Sequence, residues 1–393
     1  MVTLFVALGL GVVLASYLLL IRAQYVSVVR SQAWHSALTM AEAGVEEALA
    51  QLNATNALPS YEWSSSNNLI GGAYAVSYTP PDTAPTIYAI GYATVPTISA
   101  TIARVLEVKT ALAPLLSVGA AVRGNLKMNG KKLFTDSYDS GNWPYRYDHP
   151  NGPRTHGDVA IAGGITNFGT VDIDGRLFLG ATATSTGGPN FSVSSNILTD
   201  FNAEFSEVLP PFQSPDRAPQ PGSNYTFVLS GYNYQTNTLS GSVLVTASAV
   251  LYVTGNVNIT NLDIADGASL KLYVGGPSAT FHADLNLPAP GSFHYYGLPG
   301  NSNITLYGAP GDQGKFVGTI YAPNANLHAG ERSPGNPYND YDLYGAIVVN
   351  SIAMRSDLRL HFDESLKNAP ANGGPVRGFV VTSWRELPEL PPP

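Results

Sequence analysis

The chain has 393 residues, 20 Lys+Arg against 28 Asp+Glu for a formal net charge of -8, and no cysteine. That length exceeds what a single hydrophobic core usually serves, so more than one structural unit is expected. So few basic residues give no stripe for a phosphate backbone, which argues against a nucleic-acid partner, and without thiols there are no disulfides, cysteine nucleophiles or cysteine-ligated zinc. Charged residues make up 12% of the chain, about half the usual ~25%. Its 39 Gly, 29 Pro and 22 Tyr point to many turns and short strands.

In chain order the first element is apolar. Residues 2–21, VTLFVALGLGVVLASYLLLI, carry no charge and stop at Arg22; a helix of about 20 apolar residues spans a bilayer core. No basic residue precedes the run, which disfavours an ordinary cleavable signal peptide. No proline occurs before Pro59, and Trp34, Ala37, Leu38, Ala41, Val45, Ala48, Leu49 and Leu52 recur at helical spacing. One helix is therefore expected over residues 1–53, with 1–21 as its membrane or filament-core part. At 1.5 Å per residue it measures about 80 Å, against about 30 Å of bilayer core. Spacing alone leaves two readings, a signal anchor docked on its own domain or a helix that packs with copies of itself. On the second, Met1, Val2, Phe5, Leu8, Val12, Ala15, Leu18 and Leu19 make filament-core contacts, while Trp34, Leu38, Ala41, Val45, Leu49 and Leu52 pack on a sheet.

Residues 34–52, WHSALTMAEAGVEEALAQL, resemble the end of the N-terminal helix of type IV pilin-like proteins, minor pilins above all. Ala41, Glu42, Ala43, Gly44, Glu46, Glu47, Ala48 and Leu49 carry the resemblance. It implies a bacterial subunit whose leader is removed by a prepilin peptidase and whose apolar helix waits in the inner membrane. The pilus assembly machinery then extracts it into a helical filament of copies of itself at the cell surface. A processed N-terminus at Met1 would account for the missing basic flank. Phe5 stands where most pilins have a glutamate, and the cysteine pair that often closes a pilin's C-terminal loop is missing.

Residues 54–113 contain GGAYAVSYTPP, TIYAIGYATV and ISATIARVLEVKT, three β-type runs divided by turn residues. They are expected to form an antiparallel meander packed on the helix, with tyrosines in cross-strand pairs, and are similar to the small sheet of pilin-like proteins. From about Leu115 the texture changes to short apolar pulses broken by Gly, Asn, Asp and Thr. This pattern predicts a parallel β-solenoid over residues 114–387, with a sandwich as the alternative, and a Pro-rich tail over 388–393. LKMNGKKLFTDSYDSG, GTIYAPNANLHAG, YGAIVVNSIAMRSDLRLHFDESL and FVVTSWREL resemble a bacterial extracellular β-helical domain found attached to pilin-like helices, a family with no activity to transfer. The expected fold class is α+β, mostly β, with a long N-terminal helix, a small antiparallel sheet and a right-handed parallel β-helix.

Candidate chemistry is sparse. Asp172 with Asp174, and His156 with Asp158, are the best carboxylate and imidazole groupings, but no adjacent Asp pair is present and no Arg/Lys cluster for an acidic sugar is visible. Asp136, Ser137, Tyr138, Asp139 and Asp148 have oxygen ligands but no EF-hand spacing, and turn capping explains them better. His149 and His156 make a weaker zinc case. No catalytic residue, cofactor or metal is expected. Trp143, Tyr145 and Tyr147 in NWPYRYDHPNG, and Tyr338, Tyr341 and Tyr344 in NPYNDYDLYG, are candidate contacts to another surface or a glycan. The expected function is a structural subunit of an extracellular pilus-like filament; the alternative is a minor pilin, a tip adhesin or assembly primer carrying a β-helix binding domain.

Overall fold

The computed structural model describes residues 2–54, 62–78, 84–96, 100–112, 116–167, 169–183, 191–199, 201, 205–287, 289–308, 314–331, 340–368 and 379–388. Met1, Tyr338 and the tail from 389 onward lie outside them. The fold class is α+β and mostly β. Two compact units divide the chain, Met1–Ala113 with Arg377–Pro393, and Pro114–Val376.

The first unit begins with one helix, α1 (Val2–Ala54). Its side chains are exposed through the apolar first half, and burial starts at Ala33. From there Ala33, Ala37, Ala41, Val45, Ala48 and Leu52 form a buried stripe at three- and four-residue spacing. The stripe lies on an antiparallel sheet of β1 (Trp63–Leu69), β2 (Gly72–Tyr78), β3 (Thr86–Val95) and β4 (Ala100–Leu112). Strict alternation puts Tyr74, Val76 and Tyr78 of β2, Ile87 and Ala89 of β3, and Leu106 and Val108 of β4 on the helix face. The small residues of the stripe set the distance between the layers. At Gly91 an added Cβ would stand 1.9 Å from the Ala37 carbonyl oxygen and 2.4 Å from the Ala41 nitrogen, so only glycine lets β3 lie this close to α1.

The sheet has a fifth strand. Phe379–Leu387 runs antiparallel to β4, with Phe379 opposite Leu112 and Leu387 opposite Val105. The sequence reading placed FVVTSWREL at the end of the solenoid; the structure assigns it to the helix-packed sheet instead, and the solenoid strands end at Asp363. Side chains explain the choice. The Arg385 guanidinium meets Glu107 at 2.6 Å, Arg104 pairs with Glu386, and the Phe379 amide donates to Asn53 Oδ1 at 2.6 Å.

The second unit is a solenoid of parallel strands in three stacks, and this parallel pairing excludes the sandwich. The second stack is ten strands deep among the described residues: Asn233–Thr236, Ala249–Val253, Leu270–Val274, Phe293–Gly297, 319–322, 346–349, Ala120–Val122, Val159–Ile161, Leu177–Leu179 and Ile197–Leu198. The third stack runs from 239–241 through 326–329 and 351–354 to Asn125–Lys127 and Gly164–Thr166. The first stack includes 340–345, Asp357–Asp363, Leu133–Tyr138, Val171–Ile173 and Phe191–Val193 in adjacent positions. Inward residues of all three form one core, with Leu251, Leu272, Tyr295, Ile320, Ile347 and Ile161 at its second-stack wall.

Spatial order differs from chain order. The strand 346–349 pairs with Ala120–Val122, so the end of the solenoid's chain sits beside its beginning and not at the far end. Residues 120–198 climb away from this seam, and residues 227–363 start at the opposite end and descend to it. The connection between them runs back along the outside of the second stack. Register there places Phe178, Ala160, Ala121, Val348, Tyr321, Tyr296, Tyr273 and Tyr252 in one outward ladder. Over it lie Phe201 against Phe178, Phe205 and Val208 in the same apolar cluster, Ser206 accepting from the Tyr321 hydroxyl at 2.9 Å, and Phe212 against Tyr252.

Replacing Gly91 with valine is expected to lower the unfolding temperature of the first unit, a cost of about 1–3 kcal/mol from overpacking against the helix backbone. Melting of the detergent-solubilised chain followed by circular dichroism checks this, with the transition of the solenoid unmoved.

Candidate functional site

Two surfaces bear on function, and the first is the exposed half of α1. The span Val2–Asn53 is long and apolar enough to cross a membrane, with a mean hydropathy of 2.6 in its most apolar window and none of that window buried. Val2, Phe5, Leu8, Val12, Leu18 and Leu19 are all exposed, and Ala15 lies among them. The other expected helix residues divide by position. Ala41, Val45 and Leu52 are buried on the sheet and Leu38 and Leu49 are half-buried against it, while Trp34 stays 48% exposed with the Arg104 guanidinium 4.6 Å over its ring. Glu47 holds the helix to the sheet as well. Its carboxylate accepts from Ser65 at 3.0 Å, Asn67 at 3.1 Å and the Tyr74 hydroxyl at 2.8 Å, and that hydrogen bond raises the tyrosine's pKa.

The second surface lies on the outside of the solenoid's first stack. Alternation along DYDLYG turns Tyr341 and Leu343 inward and Asp342 and Tyr344 outward. Tyr341, read from the sequence as a surface contact, is therefore a core residue, 2% exposed. Register aligns Tyr344, His361 and Asp136 in one outward row, and Asp342, Arg359 and Phe134 in the next. Across this floor folds the loop from Asp139 to His156. Asp139 caps the Gly141 amide, a short 3-10 turn runs over Trp143–Tyr145, and Ser137 bridges to Arg154. Glu364 ties the loop down, accepting from Ser137 and Arg154 at 2.8 Å each and meeting His156 Nδ1 at 2.9 Å.

Tyr147 and Tyr344, nearly two hundred residues apart in sequence, thus meet at 5.1 Å between ring centroids, edge to face. Tyr138 stands 5.6 Å from Tyr147, and the His361 ring lies 4.5 Å from Tyr344. Trp143 is exposed and touches His149, and Tyr145 lies under the Arg154 guanidinium, so these two stay outside the cluster. Beneath the tyrosines is a charged group that sequence reasoning missed. His361 Nδ1 donates to Asp136 at 2.6 Å, Asp342 lies 4.0 Å from its Nε2, and Arg359 meets Asp342 at 2.5 Å. Burial alone would lower the imidazole's pKa, but the hydrogen bonds and charges of Asp136 and Asp342 outweigh it and hold it above the ordinary value. Burial alone would raise Asp342, and His361 and Arg359 outweigh it to hold it below the carboxylate norm. The signal was present in the outward alternation of Arg359, His361 and Asp363 along DLRLHFD.

Of the groupings weighed for catalysis, His156 and Asp158 hold separate partners, whereas Asp172 and Asp174 lie near each other. Asp158 is tied to Arg176 at 2.6 Å, while His156 is tied to Glu364. Asp174 has a raised pKa from burial and from the charges of Asp172 and Asp136. Among the described residues no group of three or more His, Asp or Glu is placed to hold a metal ion.

The first unit is an N-terminal apolar helix with an antiparallel sheet on its second half; a solenoid is inserted into that sheet's chain. The model of a family described as a domain of unknown function (DUF7305) matches residues 230–369, within the solenoid and about a third of the chain. No curated protein matches the chain. Among solved structures it is similar to the competence-associated pilin ComZ from Thermus thermophilus, at 11% identity over 90% of this chain and 97% of that one, with a TM-score of 0.31. A score that low adds nothing to the fold described above.

A folded-state pKa raised at His361 stabilises the solenoid fully below the unfolded value of about 6.5, and that stability is lost as pH rises through the folded pKa. The lowered Asp342 gives stability present above about 3.9 and lost as pH falls through its folded value. Thermal melts across pH are expected to show maximal solenoid stability between these limits, and His361→Gln is expected to flatten the alkaline slope.

Proposed function

We propose that this chain is a structural, non-enzymatic subunit of an extracellular type IV pilus-like filament, polymerising through α1 and carrying its β units on the filament surface. The observation that supports this reading is the contrast along α1, buried on the sheet from Ala33 onward and apolar but unburied before it. Exposed Val, Leu and Phe side chains each forgo about 1.5–3 kcal/mol of burial. A bilayer supplies it first, and a bundle of the same helices supplies it outside the membrane, with small residues such as Gly9, Gly11 and Ala15 allowing close approach. The partners are accordingly copies of this chain, the inner membrane before assembly, a prepilin peptidase and the pilus assembly machinery.

A second reading, a minor subunit or adhesin present in few copies at a filament tip, is favoured by Phe5. With no acid before Glu42, the segment has no carboxylate to meet a neighbour's terminal amine.

Val12→Asp and Leu18→Asp are expected to abolish filaments in electron micrographs while leaving the melting of the solenoid unchanged, because a charge among packed apolar helices costs several kcal/mol. Filaments formed by a chain lacking residues 2–21 would overturn the reading. Immunogold label along filament lengths is expected for the principal subunit, and label confined to the ends for the second reading.

A further inference from the structure

We propose that the cleft over the first stack of the solenoid binds a carboxylate-bearing saccharide. The cleft has a volume of about 340 Å³, and Tyr138, Tyr147, Tyr344, Lys315, Arg146 and Asp148 line it. That volume is at the lower end of the ~300–1,000 Å³ typical of small-molecule sites, and suits the end of an oligosaccharide.

Each part of the wall answers a part of that ligand. Tyr147 lies at 85° to Tyr344, and Tyr138 at 75° to both, so the three rings stand as a corner and not as a closed stack. The half-buried Tyr147 and Tyr344 offer their exposed ring surface to the C–H groups of a pyranose and hydroxyls to its oxygens, and the buried Tyr138 backs them. Ser140 and Asp148 supply further polar groups at the wall. The charge comes from two distant parts of the chain. Lys315 Nζ sits 4.9 Å from the Tyr344 centroid and has no carboxylate partner among the described residues, and the nearest carboxylate to Arg146 is Asp148 at 3.9 Å, both groups well exposed. Two cations so weakly neutralised beside aromatic walls select a carboxylate. The sequence showed no such cluster because Lys315 and Arg146 come to line one cleft only through the stacking of the solenoid.

The site is also preorganised. Tyr344 is on a strand, its ring held on His361, and His361 is fixed by Asp136 beneath Tyr147. Little ordering entropy remains to be lost on binding. A nucleic acid would need a longer basic track than two side chains provide. This inference rests on the solenoid alone and stands apart from polymerisation through α1.

The test is calorimetric titration of the detergent-solubilised full chain with trisaccharides ending in glucuronate, galacturonate or sialate, each paired with its carboxyl-reduced counterpart. Saturable binding of at least one acidic probe is expected, weakened roughly tenfold by carboxyl reduction, the worth of one charge-assisted hydrogen bond. Lys315→Gln is expected to give the same loss for the acidic probe and none for the reduced one. Tyr147→Ala is expected to weaken both. Lys315 is exposed, so its variant should fold, and an unchanged melting curve verifies that. No binding of any acidic probe at millimolar concentration, equal binding of acidic and reduced probes, or wild-type affinity in Lys315→Gln would each overturn the proposal.

Discussion

The second unit is inserted in the chain between two residues that pair, Leu112 and Phe379. These two residues face each other across antiparallel strands, and everything between them in the chain belongs to or leads to the solenoid. A chain inserted between neighbours must leave and return at one place. A solenoid wound in simple chain order cannot do so, because each rung climbs about 4.8 Å and its two ends diverge. Here the winding is split. The first segment starts at the seam, the strap returns the chain along the outside, and the second segment ends at the seam, where Gly119 stands against Phe362 so closely that a Cβ would lie 3.1 Å from it. The aromatic ladder under the strap is a further result, since a return path over a parallel stack needs something apolar to lie on.

The seam also explains where the polar chemistry gathers. Asp136 belongs to the first segment, and His361 and Asp342 to the second, so the buried charged group spans the junction of the two. Asp363 accepts from the Ser140 amide and hydroxyl, and Glu364 holds Ser137, Arg154 and His156. Apolar stacking alone is tolerant of slippage by a rung. Buried polar partners are not, because a slip would leave each without its mate. The tyrosine cleft is built on this polar-locked part of the solenoid.

Much of this was legible in the sequence. The helix could be read because its apolar run and periodic second half are long and unbroken, and three sheet strands because alternation in GAYAV, TIYAIGYATV and TIARVLEVK is clean. β1 was missed because WSSSNNL is polar and is recruited by Glu47 and by Trp63 stacking on Tyr78 at 5.3 Å. FVVTSWREL reads as a strand in any context, and what assigns it to the first sheet is long-range, namely Glu107, Arg104 and Asn53. Short pulses indicated a solenoid, but rung order is set by contacts more than two hundred residues apart, which no local pattern encodes. The same holds for the cleft. Tyr147 and Tyr344 were singled out as aromatic loop residues; their meeting depends on which strand is stacked on which.

The split winding makes early strands depend on late ones for a partner. During synthesis the strands 120–138 wait with one edge open until residues 340–363 have been made. The sheet on the helix waits longer still, for the last strand to reach Asn53, Arg104 and Glu107. Until Phe379–Leu387 pairs, the edge of β4 (Ala100–Leu112) is exposed backbone of the kind that chaperones recognise.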